Sequence, residues 1–177
     1  MTEPEAFLVL DTETTGLSSA DRVIELAAVK VVQGEIVDAR CQLFHPGRSL
    51  PLYITHLTGI TDAMLAGKPP ISQVFPRILD YFGDLPVVGH NVAFDLGMLH
   101  REGERAGIPV ELRVADDTLL LSRRLLPHAR THSLSGLVRL LDIRYQPAHR
   151  ALADVYATLA LYRRLLAMEE QLRERKG

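Results

Sequence analysis

The sequence predicts an α/β protein in which helices flank a central mixed β-sheet. Short apolar stretches of strand length, rich in β-branched residues, dominate the first quarter of the chain. Further along, such stretches alternate with segments whose apolar residues recur at the helical period. Consecutive strands followed by strand–helix alternation are typical of a mixed sheet covered by helices.

The composition is that of one globular domain. The chain has 177 residues, of which 47% are apolar and 24% charged. We expect a single domain over residues 1–177, with a core at about 6–168 and a short charged C-terminal tail. The single cysteine, Cys41, excludes an intramolecular disulfide and a multi-cysteine zinc site. The acidic N-terminus is unlike a signal peptide, and no apolar run approaches the ~20 residues that span a bilayer, so we expect a cytoplasmic protein without a membrane partner.

Three strands are predicted in the opening part of the chain. Residues 7–10 are wholly apolar, which indicates a strand buried on both faces. Residues 23–32 and 35–44 are rich in β-branched side chains, and the Gln-Gly pair between them predicts a tight hairpin. Proline and glycine at residues 46–51 then predict a loop.

The rest of the chain alternates between helix and strand. Residues 71–82 show the helical period, and residues 86–89 indicate a short buried strand. Asn91 is a candidate N-cap for a helix that ends near Gly107. The remaining predicted elements are a strand at residues 114–115, a helix to residue 126 capped by Asp116 or Asp117, and helices over residues 134–141 and 151–173.

Two acidic residues, Asp11 and Glu13, close the first predicted strand. Because they are two residues apart in a strand, their side chains point to the same face. Two carboxylates side by side repel each other, so we expect a cation near them. Carboxylate oxygens are suitable ligands for Mg²⁺ or Mn²⁺. The alternative is that both acids merely flank the turn indicated by residues 14–16.

Further candidates begin the predicted helices. Asp95 lies in the first turn of its helix, where favourable helix-dipole electrostatics alone could explain it. His149 and Asp154 would lie ~140° apart on one continuous helix, so they share a site only if His149 lies on a loop and the helix begins near Ala151. Together, the acids and the histidine fit two-metal phosphoryl transfer, with His149 taking the proton.

These residues lie in motifs that resemble a known family. The segments LDTETTGL (residues 10–17), GHNVAFD (89–95) and HRALAD (149–154) resemble those of the DEDDh 3′–5′ exonucleases, which include the proofreading ε subunit of bacterial DNA polymerase III. Two linking stretches, HLTGIT (56–61) and HSLSGL (132–137), also resemble the family. The resemblance covers nearly the whole chain, and several ordered motifs make it specific.

The resemblance implies a ribonuclease-H-like fold and hydrolysis of phosphodiester bonds from a 3′ end, with release of nucleoside 5′-monophosphates. It implies two divalent ions, Mg²⁺ or Mn²⁺, and His149 as general base. The carboxylates that would hold the ions are Asp11, Glu13, Asp95 and Asp154. The residues that would contact the terminal nucleotides are Thr12, Thr14, Leu17, His56, His90, Asn91 and Phe94, with Leu17 as a wedge between the last two bases.

The sequence leaves two alternatives for the substrate, DNA and RNA. The HLTGIT stretch resembles DNA-acting members of the family, so we expect the 3′ end of single-stranded DNA as the substrate. The expected role is in proofreading, replication or repair. A DNA polymerase or a repair protein is the expected protein partner. An exoribonuclease acting on short RNA or tRNA ends is the alternative, because the distinction depends on how the pocket treats the 2′-hydroxyl. A non-catalytic nucleic-acid-binding module is the alternative of another class, and the complete set of five catalytic-type residues argues against it.

Overall fold

A computed structural model describes residues 2–144 and 150–175 of the chain. Its strands are β1 (Ala6–Thr14), β2 (Val23–Val32), β3 (Glu35–Leu43), β4 (Val87–Gly89) and β5 (Val114–Asp117). They form one five-stranded sheet in the order β3-β2-β1-β4-β5. The first three strands pair antiparallel, whereas β4 and β5 run parallel to β1. The predicted mixed sheet is confirmed.

The turn between β2 and β3 is the predicted two-residue hairpin. Gln33 and Gly34 both have positive φ, at 50° and 81°. A type I′ turn requires this at both central positions, because its backbone twist then matches that of the flanking strands.

Helices cover both faces of the sheet. They are α1 (Leu52–Thr58), α2 (Asp62–Leu65), α3 (Ile71–Phe82), α4 (Val92–Ala106), α5 (Thr118–Leu125), α6 (Leu134–Leu140) and α7 (Ala151–Glu174). The sequence did not predict α1 and α2, because one or two helical turns are too short to show a period. Among the described residues, no helix combines the length and apolar character needed to cross a membrane.

The alternation of side chains along β1 assigns each residue to one face of the sheet. Phe7 and Val9 belong to the core cluster built with α7, whereas Leu8 and Leu10 belong to the cluster built with α3 and α4. Because successive side chains of a strand point to opposite faces, the residues that follow continue the pattern. The end of β1 therefore presents alternate side chains to α7 and to α4, and the site is built from this arrangement.

Candidate active site

Three carboxylates meet at the C-terminal end of β1. Asp11, Glu13 and Asp154 each place one oxygen so that these atoms all lie within 4.8 Å of one another. As predicted, Asp11 and Glu13 lie on the first strand and share one of its faces; β1 runs on to Thr14, and both side chains point toward α7. Asp154 comes from the first turn of α7. Hard oxygen donors at this spacing suit a divalent cation.

The fourth predicted acid, Asp95, is held on the other side of β1. Thr12 points toward α4, and both its backbone N–H (2.9 Å) and its hydroxyl (2.6 Å) donate to Oδ1 of Asp95. Beyond Val9, β1 no longer pairs with β4, which leaves the Thr12 N–H free for this bond. Asp95 is 4% exposed. It lies outside the three-oxygen cluster but is fixed against the residue between Asp11 and Glu13.

Burial raises the pKa of three of these carboxyls, and for Asp11 and Glu13 the charges of neighbouring acids raise it further. Burial, followed by the charges of Asp154 and Glu25, raises the pKa of Glu13 from 4.5 to about 8. Burial and then the charge of Asp95 hold the pKa of Asp11 well above its usual range. Burial also raises the pKa of Asp95, against the two hydrogen bonds from Thr12. A bound cation would relieve this repulsion, so the electrostatics fit a metal centre.

The start of α4 is organised by Asp117. Oδ1 of Asp117 accepts hydrogen bonds from the backbone of Asn91 (2.9 Å) and Leu119 (2.8 Å), and Oδ2 accepts one from the backbone of Val92 (3.1 Å). One carboxylate thus caps α4 as well as α5. The prediction of Asp116 or Asp117 as the cap of α5 is confirmed for Asp117. Asn91 occupies the predicted N-cap position with φ 60°, but its side chain makes no capping bond within the described residues. Its capping role was predicted wrongly, because a carboxylate distant in sequence performs it.

The start of α7 is where the sequence required it. The helix begins at Ala151, as the convergence of His149 with Asp154 demands. His149 itself lies outside the described residues, so its place in the site stays a prediction. Arg150 occupies the N-cap position and makes an ion pair with Glu25 of β2 (2.6 Å). Sequence reasoning missed both partners, although an acid within the apolar strand of residues 23–32 was the available signal.

The predicted nucleotide contacts fall into two groups. Leu17 is 84% exposed beyond the end of β1, and His56 is exposed on α1. Asn91 is also exposed, at the start of α4. The others are less open: Phe94 packs partly against the core, and the ring of His90 contacts the hydroxyl of Thr118 at 2.8 Å. Burial lowers the pKa of His90 and favours a neutral ring.

The hydroxyls of the two predicted threonine contacts are engaged. That of Thr12 donates to Asp95, and that of Thr14 donates to the carbonyl of Gly16 (2.7 Å). Their hydroxyls therefore position β1 and the segment after it.

The segment that carries Leu17 is braced by Asp21. The Asp21 carboxylate accepts hydrogen bonds from the hydroxyl of Thr15 (2.8 Å) and from both the backbone and hydroxyl of Ser18 (2.8 and 2.7 Å). It also pairs with Arg48 at 2.8 Å. These bonds, those of Ser18 first, lower the pKa of Asp21 to about 2. The exposed Leu17 is thus held on an ordered turn.

The fold and the carboxylates first define a general class. A mixed sheet of this order, with acids at the end of its central strand and in the first turns of two helices, is an α/β protein with a candidate metal centre. The sequence then matches the exonuclease family RNase_T over residues 8–162. The chain belongs to this exonuclease family.

Relatives and solved structures agree with this assignment. The chain is 42% identical to the PolC-type DNA polymerase III of Bacillus cereus over 155 residues, which cover 87% of the chain and 11% of the relative. It is 39% identical to the PolC-type enzyme of Listeria monocytogenes over 165 residues, 93% of the chain and 11% of the relative. The chain therefore spans about one-ninth of the length of these curated relatives.

Among solved structures, the chain is similar to exonuclease X in complex with 5′-overhanging duplex DNA. The two share 32% identity and a TM-score of 0.71, and the match covers 91% of each chain. Exonuclease I of E. coli in complex with a dT13 oligonucleotide has a TM-score of 0.80 at 22% identity, covering 97% of this chain and 43% of that one, which is a likeness of fold. The predicted ribonuclease-H-like fold and the resemblance to 3′–5′ exonucleases are confirmed.

Proposed function

We propose that the protein is a metal-dependent exonuclease that removes nucleotides from the 3′ end of DNA, preferably single-stranded, and releases nucleoside 5′-monophosphates. The observation that carries the proposal is the group of oxygens from Asp11, Glu13 and Asp154 within 4.8 Å of one another. This group occurs in a chain that belongs to an exonuclease family.

The four carboxylates are the proposed metal ligands. Asp11, Glu13, Asp95 and Asp154 would hold two divalent ions, Mg²⁺ or Mn²⁺, which stabilise charge at the scissile phosphate and acidify a water nucleophile. Asp11 is suited to serve both ions, because it lies in the three-oxygen cluster and also feels the charge of Asp95 most strongly among the neighbouring acids. Glu13 and Asp154 would complete the set on the α7 side.

His149 is the proposed general base, which takes the proton of the attacking water. The support is its position in the chain. It directly precedes Arg150, whose guanidinium is bound to Glu25, and Glu25 lies opposite Glu13 in the β1–β2 pairing. A proton acceptor near neutral pH suits a histidine, whose ordinary pKa is about 6.5.

The exposed end of the site is proposed to receive the terminal nucleotides. Leu17 would separate the last two bases, since it is held almost fully exposed on a braced turn. The backbone at Thr12 and Thr14 would approach the last nucleotide. The side chains proposed to line the pocket are His56, His90, Asn91 and Phe94.

DNA is proposed as the substrate because exonuclease X, the similar structure at 32% identity, is bound to DNA. The PolC-type relatives support a role in replication proofreading or repair, with a polymerase or repair protein as partner. We further propose that the chain forms one exonuclease domain with its core at about residues 6–168, since the family match spans residues 8–162.

The experiment that tests this proposal follows strand shortening directly. A 5′-labelled single-stranded DNA and its RNA counterpart are incubated with the protein and Mg²⁺, Mn²⁺ or EDTA. We expect a ladder that shortens from the 3′ end of the DNA and depends on the metal. Chromatography of the products should show nucleoside 5′-monophosphates.

The control is a variant of an acid outside the proposed site. Asp11→Ala should lose cleavage, whereas Asp80→Ala, on the exposed side of α3, should cleave like the unaltered protein. A ladder on RNA alone would move the substrate from DNA to RNA. Absence of cleavage with every metal would favour a nucleic-acid-binding module.

A further inference from the structure

Glu25 is a fully buried carboxylate outside the proposed metal ligands. It lies on β2 and is 0% exposed. A buried charge without compensation is strongly destabilising, so its partners must be strong. Both oxygens are engaged by Nε of Arg150 (3.0 and 3.1 Å), and Oε1 also accepts from Nη2 of Arg150 (2.6 Å) and, at 3.3 Å, from the thiol of Cys41 on β3.

The same carboxylate caps α7. Oε2 of Glu25 accepts the backbone N–H of Ala151, the first residue of the helix, at 3.0 Å. Within the described residues, the N-cap side chain, that of Arg150, makes no capping bond, so the charge of a distant strand replaces the usual local cap. A negative charge at a helix N-terminus is also favourable to the helix dipole.

This arrangement joins the start of α7 to β2 beside the proposed metal ligands. Glu25 stands opposite Glu13 in the register of β1 and β2. Asp154 lies three residues after Ala151, in the first turn of the helix that Glu25 caps. The Glu25–Arg150 pair therefore joins the strand beside one proposed ligand to the turn that carries another.

We infer that the Glu25–Arg150 pair is a positioning device that sets the first turn of α7 against β1 and so brings Asp154 into the cluster with Asp11 and Glu13. This inference rests on the proposed function. Neither partner need touch the substrate for this role.

The test measures metal binding apart from cleavage. Binding of Mn²⁺ is followed by electron paramagnetic resonance of the free ion, with Glu25→Gln, Arg150→Ala and the double variant. Each single variant should weaken Mn²⁺ binding roughly 10-fold or more, as loss of a residue that orients a ligand typically does. The double variant should be no weaker than the worse single one, since both act through one interaction. For cleavage, kcat should fall while KM for DNA stays nearly constant.

Two further variants separate positioning from stability. Arg163→Ala removes another ion pair of α7, that with Glu3 (3.0 Å), and should lower the melting temperature without changing Mn²⁺ affinity. Arg150→Lys keeps the charge but loses the two-pronged geometry, so it should fold and show an intermediate affinity. If Arg150→Ala does not fold, Arg150→Lys still provides a Mn²⁺ affinity that tests the inference.

Three results would overturn the inference. Unchanged Mn²⁺ affinity in Glu25→Gln and Arg150→Lys would show that the pair does not position the ligands. A raised KM for DNA in Arg150→Ala, but not in Glu25→Gln, would make Arg150 a substrate contact instead. Absence of Mn²⁺ binding in the unaltered protein would overturn both this inference and the proposed function. Absence of cleavage with Mn²⁺ bound would count against the proposed function alone, because the affinities of the variants would still decide the role of the pair.

Discussion

Thr12 donates two hydrogen bonds to a single oxygen of Asp95, one from its backbone and one from its hydroxyl, at 2.9 and 2.6 Å. Thr12 stands between Asp11 and Glu13 but faces the opposite side of the sheet. These two hydrogen bonds therefore join the acid of α4 to the strand that carries Asp11 and Glu13.

Replacing Thr12 with valine should leave the Asp95 carboxylate less firmly oriented. Valine keeps the shape of threonine but removes the hydroxyl donor, so one of the two bonds is lost. We expect kcat to fall roughly 10- to 100-fold, the range found when a residue that orients a metal ligand is removed. Thr12→Ser keeps the hydroxyl and should retain most activity. Equal losses in the two variants would contradict an orienting role for the hydroxyl.

Asp11 should be essential for cleavage, and its charge should destabilise the folded protein when no metal is bound. Its pKa is raised by burial and by Asp95, which means that its charge is destabilised in the folded state. Asp11→Asn should therefore abolish cleavage yet raise the melting temperature measured in EDTA. The unaltered protein should gain more stability from added Mn²⁺ than this variant does, because a ligand that binds the folded state more tightly stabilises it more. A lower melting temperature for Asp11→Asn than for the unaltered protein in EDTA would show that repulsion at Asp11 does not destabilise the fold.

Asp117 should matter for two helices at once. Asp117→Ala leaves the N-terminal N–H groups of α4 and α5 without their acceptor. At about 1 kcal/mol for each cap, the loss in unfolding free energy should be roughly 2 kcal/mol by urea titration. Ser133→Ala removes the single cap of α6 and should cost about half as much. Activity should fall in the first variant alone, since Asp95 lies in the first turn of α4.

Asp21 should make stability depend on acid pH. Its folded pKa is lowered from 3.8 to about 2, so its contribution to stability is complete above pH 3.8 and is lost as the pH falls through about 2. Asp21→Asn should therefore be less stable than the unaltered protein at pH 7, and the difference should shrink between pH 4 and pH 2. Urea unfolding at pH 7, 4 and 2 measures this. A difference that is constant with pH would contradict the role of the charge.

The turn after β1 offers a steric test of the same bracing. A Cβ added at Gly16 would lie 2.6 Å from Oδ2 of Asp21, which is shorter than a van der Waals contact. Gly16→Ala should displace Asp21 and with it the exposed Leu17. We expect a higher KM for a DNA end with kcat less affected, measured in steady-state cleavage. Gly34→Ala has open space around its Cβ and reports the general cost of replacing a glycine of positive φ.

Local patterns were sufficient to predict most of the sheet and the longer helices. The hairpin at Gln33 followed from turn chemistry, and the start of α7 at Ala151 followed from the demand that His149 and Asp154 converge. The two short helices before residue 66 left no periodic signal. Asn91 was predicted to cap α4 because local rules consider neighbouring residues, whereas the actual cap comes from Asp117.

The sequence by itself determined that Asp11 and Glu13 share a face of β1, because the alternation of side chains is intrinsic to any strand. Only the tertiary structure decided how the acids meet. The distance from Asp154 to these two depends on the packing of α7 on the sheet, and the attachment of Asp95 depends on a backbone N–H of β1 that β4 leaves free. Likewise, Glu25 and Arg150 are 125 positions apart, so their pairing exists only once β2 and α7 are packed together. Interactions of this kind depend on distance in space, which local spacing along the chain does not encode.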